Sequence, residues 1–432
     1  MKSRAALLLA VALAAATIAT KQVFAQSSPR PASLNLPLEW TSFRLNPELN
    51  AVLAPTQNIS VKWTFKTKEG ISSSPTVSGD TVFVASNDHH VYALDLRTGA
   101  VRWDYMASDE VMTAPLVYHN TVVVGEGNNH ADGSMFFPPD YMIMGDGTNS
   151  IIGIDASTGK ERWKRRVPGT AMPTGAIVGG NYIEHDGAGM LFAFRVTDGA
   201  YRYRSYVGSV ASMVAANNYQ GNAVVTGGDF PNAEFAFDGL TGDVLWRTPF
   251  PATDGGFNDC PPASDGHTIF ATYNARPDDS KYGFVGFKTP AVQHAYAVDG
   301  ATGHILWNVP LVRGVLPVNN STAIPMLYDG VLYLGSAMAP TMFALDGASG
   351  KVLWQLQVEG PIKGGVVAKD GIIYFGDLKG YFWAVDAKSG SVKSKTLMID
   401  GFNVGSPIIV GQSLIVGTAK GYVLAMPLKD LQ

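Results

Sequence analysis

Apolar and polar residues alternate with period two in short runs along most of the chain, and most runs end in the same polar turn. VYALDLRTGAVRW (91–103) shows the pattern. It recurs as IIGIDASTGKERW (151–163), LFAFRVTDGAYRY (191–203), EFAFDGLTGDVLW (234–246), AYAVDGATGHILW (295–307), MFALDGASGKVLW (342–354) and FWAVDAKSGSVKS (382–394). An eighth copy, YVLAMPLKDLQ (422–432), stops before its aromatic residue. Alternation, a Gly turn and a second short strand predict a hairpin in each copy. The spacing of the copies is 60 residues from Asp95 to Asp155 and 40 from Asp346 to Asp386. A period near 40 built from β units predicts propeller blades of four strands each. The expected fold is therefore all-β: an eight-bladed β-propeller of four-stranded blades. The last copy lacks a final strand, and VKWTF (61–65) carries a Trp63 with no copy of its own. Placing that strand in the last blade closes the ring and removes an open sheet edge.

The N-terminus reads differently. Lys2 and Arg4 precede AALLLAVALAAATIAT, and VFA (23–25) offers a small-residue cleavage site. Residues 1–25 read as a signal peptide, 26–60 as an N-terminal extension and 61–432 as one propeller. No later apolar run is long enough to cross a bilayer. The expected location is periplasmic or secreted.

Composition adds two constraints. Without residues 1–25, which hold Lys2, Arg4, Lys21 and no acid, the 32 basic and 36 acidic residues become 29 and 36. That acidic balance argues against a nucleic-acid partner. Cys260 is the single cysteine. It cannot pair within its own chain, so it is either a buried apolar residue or a free thiol with a task.

A second repeat precedes the first. Ser74-Pro75, Ala114-Pro115, Met172-Pro173, Ile324-Pro325 and Ser406-Pro407 each stand before a Gly- or Asn-rich turn, and Cys260-Pro261 reads as the same position in the fifth blade. In a propeller this strand is the innermost, so the loop entering it opens at the mouth of the central funnel. On this alignment Asp259 takes the place of Ser73, Thr113, Ala171, Ala323 and Gly405. Lys363, in PIKGGVV, falls about one residue from the same level. Insertions at 125–150 and 274–294 follow the second strands of their blades, which places them on the same face. A funnel rimmed by long loops is where a ligand is expected.

The candidate chemistry follows. Asp259 is the expected general acid or base, with Cys260 a possible thiol nucleophile beside it. Lys363, Arg313, Asn258, Asn319 and Asn320 are the expected ligands of a small anion. The eight histidines show no metal-ligand spacing, and no metal site is expected.

The blade signature A-x-D-x-x-T-G-x-x-x-W resembles that of the quinoprotein-type (pyrroloquinoline-quinone-like) eight-bladed propellers, over roughly 61–428. That class holds dehydrogenases, assembly scaffolds and hydrolases. The resemblance to the dehydrogenases implies a quinone and calcium, but also a pair of adjacent, disulfide-linked cysteines that one cysteine cannot supply. The resemblance to outer-membrane assembly scaffolds implies a lipid-anchoring cysteine and plainer loops. The segments GGFNDCPPASDG, PVNNSTAIP, GPIKGGVV and GFNVGSPIIVG resemble the tetrathionate hydrolases. That likeness implies a cofactor-free hydrolase of a small sulfur oxyanion and an essential aspartate at Asp259. The expected partner is a small anionic substrate, and a homo-oligomer is left open. Quinone-dependent dehydrogenase and non-catalytic scaffold are the alternatives.

Overall fold

The computed structural model describes residues 59–128, 145–172, 174–206, 217–218, 223–229, 232–250, 253–257, 261–275, 290–315 and 324–432. The expected signal peptide and nearly all of the N-terminal extension lie outside these residues. Among the described residues the strands form eight antiparallel sheets. They are numbered here from the N-terminus. Sheet 1 runs Thr76–Ser78, Thr81–Ala85, His90–Asp95 and Val101–Met106 in spatial order, and most of the others repeat this meander. The fold is a β-propeller.

Local chemistry explains each turn. The first hairpin of sheets 6 and 7 turns at Asp329-Gly330 and Asp370-Gly371, where both residues have positive φ. Such two-residue turns match the twist of the flanking strands, and Asp-Gly tolerates them best. The D-x-x-T-G turn is built from its aspartate. Asp95 Oδ1 accepts the backbone N–H groups of Arg97 and Thr98 and the Thr98 hydroxyl. Gly99 then takes φ +71°, and a Cβ there would lie 2.7 Å from the Trp63 ring. Backbone and space both require glycine.

That last contact is the repeat's main purpose. Each aromatic at the end of the signature docks on the turn of the next sheet. The indole N–H of Trp103 donates to Ala156 O, Trp163 to Val196 O, Trp246 to Gly300 O, Trp307 to Gly347 O and Trp354 to Ala387 O. In sheet 3 the Tyr203 hydroxyl donates to Gly239 O. In sheet 7 Ser394 stands in the aromatic's place, and its hydroxyl donates to Leu431 O in the C-terminal turn.

The Trp63–Lys66 strand completes sheet 8. Trp63 pairs with Ala425 and Lys66 with Tyr422, as the sequence predicts. Trp63 then donates to Leu96 O of sheet 1. Each of the eight sheets is thus tied to the next, and the eighth to the first.

First strands of successive sheets touch one another, as in sheets 1 and 2, 3 and 4, and 5 and 6. They therefore converge on the axis. Fourth strands alternate exposed and half-buried residues, as in Val101–Met106, and form the outer rim. Apolar clusters fill the spaces between sheets.

Sheet 5 departs from the plan. Its innermost strand shrinks to Ala263–Ser264, and Thr253–Phe257 pairs with the upper half of Thr268–Ala275. The predicted insertion at 274–294 is partly strand: Thr268–Ala275 and Pro290–Asp299 lengthen the hairpin, and residues 276–289 lie outside the described residues. Of the predicted insertion at 125–150, Gly125, Glu126 and Ser150 are strand residues, and 129–144 lie outside the described residues.

Candidate functional site

Strand register fixes which residues share a level at the funnel mouth. In sheet 1 Thr76 pairs with Phe83, and in sheet 5 Ala263 pairs with Phe270. Both partners sit two residues into the second strand, opposite Ala93 and Ala297. Counting back along the chain, Pro262 rather than Pro261 matches Pro75. This corrects the sequence alignment by one residue. Continued along the sequence, that count aligns Cys260 with Ser73 and Gly405, and Asp259 with Ser72 and Val404. The proline after Cys260 misled the comparison, because sheet 5 has two in a row. On that alignment the sequence GFNDCPPA falls on GFNVGSPI of sheet 8.

The same count places Lys363 four residues before Val367, level with Ser72 before Thr76. On the sequence alignment Asp259 and Lys363 thus fall at one repeat position, in sheets 5 and 7. Met112 and Met172 hold it in sheets 2 and 3. Asn258, Asp259, Cys260, Asn319 and Asn320 lie outside the described residues.

Hydrogen bonds tie the entry segments into a collar. Ser406 N–H donates to Ser74 Oγ, Gly365 N–H to Ser406 Oγ and Ala114 N–H to Thr174 Oγ1. The segments also approach closely. A Cβ on Gly405 would lie 2.4 Å from Ser73 O, and one on Gly364 would lie 2.8 Å from Asn403 O. Lys363 is half-buried on this collar, directly before Gly364. Arg313 is exposed on the long fourth strand Ile305–Val315 of sheet 5, paired with Val292. That strand belongs to the outer rim, so Arg313 does not share the collar with Lys363.

Sequence reasoning missed a group of buried polar residues in sheet 3. Glu184, His185 and Asp186 are consecutive and fully buried. Glu184 stands where other second strands carry Val84, Val124, Leu334, Phe375 and Val416. This carboxylate in an apolar column was a readable signal. Its carboxyl oxygens meet no partner in hydrogen-bond geometry among the described residues. Burial raises its pKa well above the ordinary range, and the neighbouring Tyr182 hydroxyl only partly opposes this. Burial lowers His185 to about 4, and neither ring nitrogen has a partner among the described residues. Asp186 has a structural task. It accepts the N–H groups of Gly169, Ala188 and Met190, as Asp377 accepts those of Gly360, Lys379 and Tyr381. Burial still raises Asp186 to about 6. A further buried acid, Glu234 of sheet 4, accepts the Tyr296 hydroxyl of sheet 5 at 2.6 Å.

Among the described residues no three of His, Cys, Asp and Glu converge as metal ligands. One cysteine in the chain cannot supply the disulfide-linked pair that the dehydrogenase resemblance implies. No helix among the described residues is long and apolar enough to cross a membrane.

Repeated blades docked by signature tryptophans, around a collar of inner-strand entry loops, define a propeller of the quinoprotein type. The chain belongs to the PQQ_2 family, described as outer membrane protein assembly factor BamB, whose profile matches residues 60–137, 130–276 and 291–430. Tetrathionate hydrolase of Acidithiobacillus ferrooxidans is 25% identical over 288 residues, covering 66% of this chain and 56% of that protein. Polyvinylalcohol dehydrogenase of a Pseudomonas species is 26% identical over 229 residues, covering 50% of this chain and 30% of that protein. The chain thus spans little more than half the length of the first relative and less than a third of the second. Among solved structures, BamB of Moraxella catarrhalis superposes with a TM-score of 0.63 at 17% identity, covering 85% of this chain and all of that one. A europium-containing methanol dehydrogenase gives 0.65 at 15% identity, covering 91% and 98%. These likenesses show the fold.

Proposed function

We propose that this protein is an exported hydrolase of a small sulfur oxyanion of the tetrathionate type, acting at the funnel mouth without a quinone. The observation that carries the reading is the shared repeat position of Asp259 and Lys363. In the aligned sequence it gives two of the entry segments residues of opposite charge, where their counterparts in sheets 1, 2, 3 and 8 are neutral. The similarity to tetrathionate hydrolase supports it.

The roles follow from the substrate. Tetrathionate is a dianion with a central S–S bond between two divalent sulfurs. Lys363 holds one sulfonate, and Asn258 and Asn320 supply further donors. Water attacks one divalent sulfur as Asp259 takes its proton. An O–S bond forms, and the central S–S bond breaks with its electron pair on the leaving thiosulfate. The other product is HO–S–SO3⁻, and one proton is released in all. A free cysteine is mostly thiol below about pH 8, so water is the nucleophile and Cys260 is a neighbour. Arg313, on the outer rim, is left without a role.

The test is purification without added cofactor, then absorbance and tetrathionate assays at acid and neutral pH. Tetrathionate loss without a quinone chromophore is the expected result. A bound chromophore with dye reduction would replace the reading by a dehydrogenase. Lys363→Gln is expected to raise KM for tetrathionate about tenfold or more with a smaller change in kcat, since a charged hydrogen bond contributes about 1.5–3 kcal/mol. An unchanged KM removes Lys363 from the site.

A further inference from the structure

The exposed end of the signature hairpin changes character in three adjoining sheets. The residue directly before the aromatic position is Lys62, Arg102, Arg162 and Arg202 in sheets 8, 1, 2 and 3, and Lys393 in sheet 7. Each of these cations bonds a nearby side chain: Arg102 meets Asp80 and Asp95, Arg162 meets Asp155, Arg202 meets Asn181, Lys393 meets Asp386 and Lys62 meets Asp430. In sheets 4, 5 and 6 the position holds Leu245, Leu306 and Leu353, which are 54%, 54% and 50% exposed. Two residues past the turn's aspartate position the same division recurs. Sheets 1, 2, 3 and 7 carry Arg97, Ser157, Thr197 and Lys388, whereas sheets 4, 5 and 6 carry Leu240, Ala301 and Ala348, all three exposed. A lone exposed leucine is ordinary. Two repeat positions that turn apolar together, in the same three neighbours, make a patch. The patch is contiguous because each turn packs on the aromatic of the sheet before. A Cβ on Gly303 would lie 2.5 Å from Trp246, and one on Gly350 would lie 2.6 Å from Trp307. The residue after each turn glycine then grades in charge along this arc, from Asp243 through His304 to Lys351, all exposed.

We propose that the arc is a two-fold interface between two copies of this chain, with the axis at sheet 5. In a four-stranded meander these turns lie on the face opposite the collar, so the interface is independent of the hydrolase reading. A two-fold contact brings the same patch of both copies together. Sheet 4 of one copy then meets sheet 6 of the other. The charge gradient makes that overlay self-complementary, since Asp243 of each copy faces Lys351 of the other. The leucines form the dry centre. Arg247, Asn308 and Gln355, exposed just past the aromatics, form a polar rim. Charge on an outer strand keeps other chains away from an open sheet edge. Replacing the cation by leucine in sheets 4, 5 and 6 removes that protection where a second copy docks.

The experiment is sedimentation equilibrium of the full chain over a range of concentrations at low and moderate salt. A dimer is the expected state. Leu306→Arg gives sheet 5 the residue that sheets 1, 2 and 3 carry, with Asp299 placed to receive it as Asp95 receives Arg102. It is expected to raise the dimer Kd about a hundredfold or more, because one substitution near the axis counts in both copies. Asp243→Lys and Lys351→Asp are each expected to raise Kd about tenfold by opposing like charges. The double variant Asp243→Lys/Lys351→Asp is expected to return it to within about threefold of the wild type. Circular dichroism checks the fold of each. If Leu306→Arg does not fold, the charge exchange at exposed residues decides alone. A wild type that stays monomeric overturns the interface, whatever else covers the arc. A dimer unmoved by a folded Leu306→Arg variant places the contact elsewhere and overturns it too. A double variant weaker than either single one overturns the two-fold register.

Discussion

Asp259→Asn is expected to lower turnover of tetrathionate about a hundredfold or more, the usual contribution of a general acid or base. The change keeps size and hydrogen-bonding capacity and removes the ionisable proton. The fold is expected to survive, because the collar is tied by neighbouring segments, through Ser74, Ser406 and Thr174. Circular dichroism and a steady-state assay check both halves. Cys260→Ser is the companion variant. By register it copies Ser73, a buried serine whose hydroxyl donates to Ala85 O at 3.2 Å. It is expected to keep most of the activity. A folded but inactive Cys260→Ser enzyme, with a sulfur adduct on wild-type Cys260 by mass spectrometry, would move the chemistry to the thiol. An active Asp259→Asn enzyme would remove the acid–base assignment altogether.

Glu184→Gln is expected to change how stability depends on pH. Burial holds the Glu184 carboxyl protonated in the folded protein well above its ordinary range. Its folded pKa thus exceeds its unfolded one, so the folded state binds more protons between the two. Stability from this group is complete below the unfolded pKa and is lost as pH rises toward the folded one. The limiting slope is about 1.4 kcal/mol per pH unit. Asp186, raised to about 6, adds loss in the same direction between its ordinary value of 3.8 and that pH. His185, lowered to about 4, acts oppositely. Its contribution is complete above the unfolded value of 6.5 and falls as pH drops toward 4. Glutamine has the shape of the neutral acid and does not titrate. The variant is expected to match the wild type near pH 4 and to unfold at higher urea than the wild type above about pH 6. Urea midpoints at several pH values measure this. A constant difference across pH would show that Glu184 titrates normally.

The period-two alternation and the recurring turn determined most of the architecture by themselves. Each signature residue acts on its nearest neighbours: the aspartate caps its own turn, the glycine accepts a positive φ, and the tryptophan reaches only the next sheet. Short-range physics of this kind repeats wherever the motif repeats. It therefore predicts four strands per blade and a Trp63 strand in the last sheet. What the motif did not determine was register near the axis. Two prolines in a row made Cys260-Pro261 look like Ser406-Pro407, and only the pairing of Ala263 with Phe270 showed that Pro262 is the match of Pro75. The extra Thr253–Phe257 strand in sheet 5 carries no repeat signal, because its partner is the lengthened hairpin and not its own motif. Nor does a linear sequence say which face a residue meets. Met112 and Val111 are adjacent and both apolar, yet Val111 is fully buried in an apolar cluster and Met112 is only half-buried. Glu184 was legible as a charge in an apolar column. Its burial beside Tyr182, and hence its raised pKa, exists only when sheets 2 and 3 close over it and exclude water.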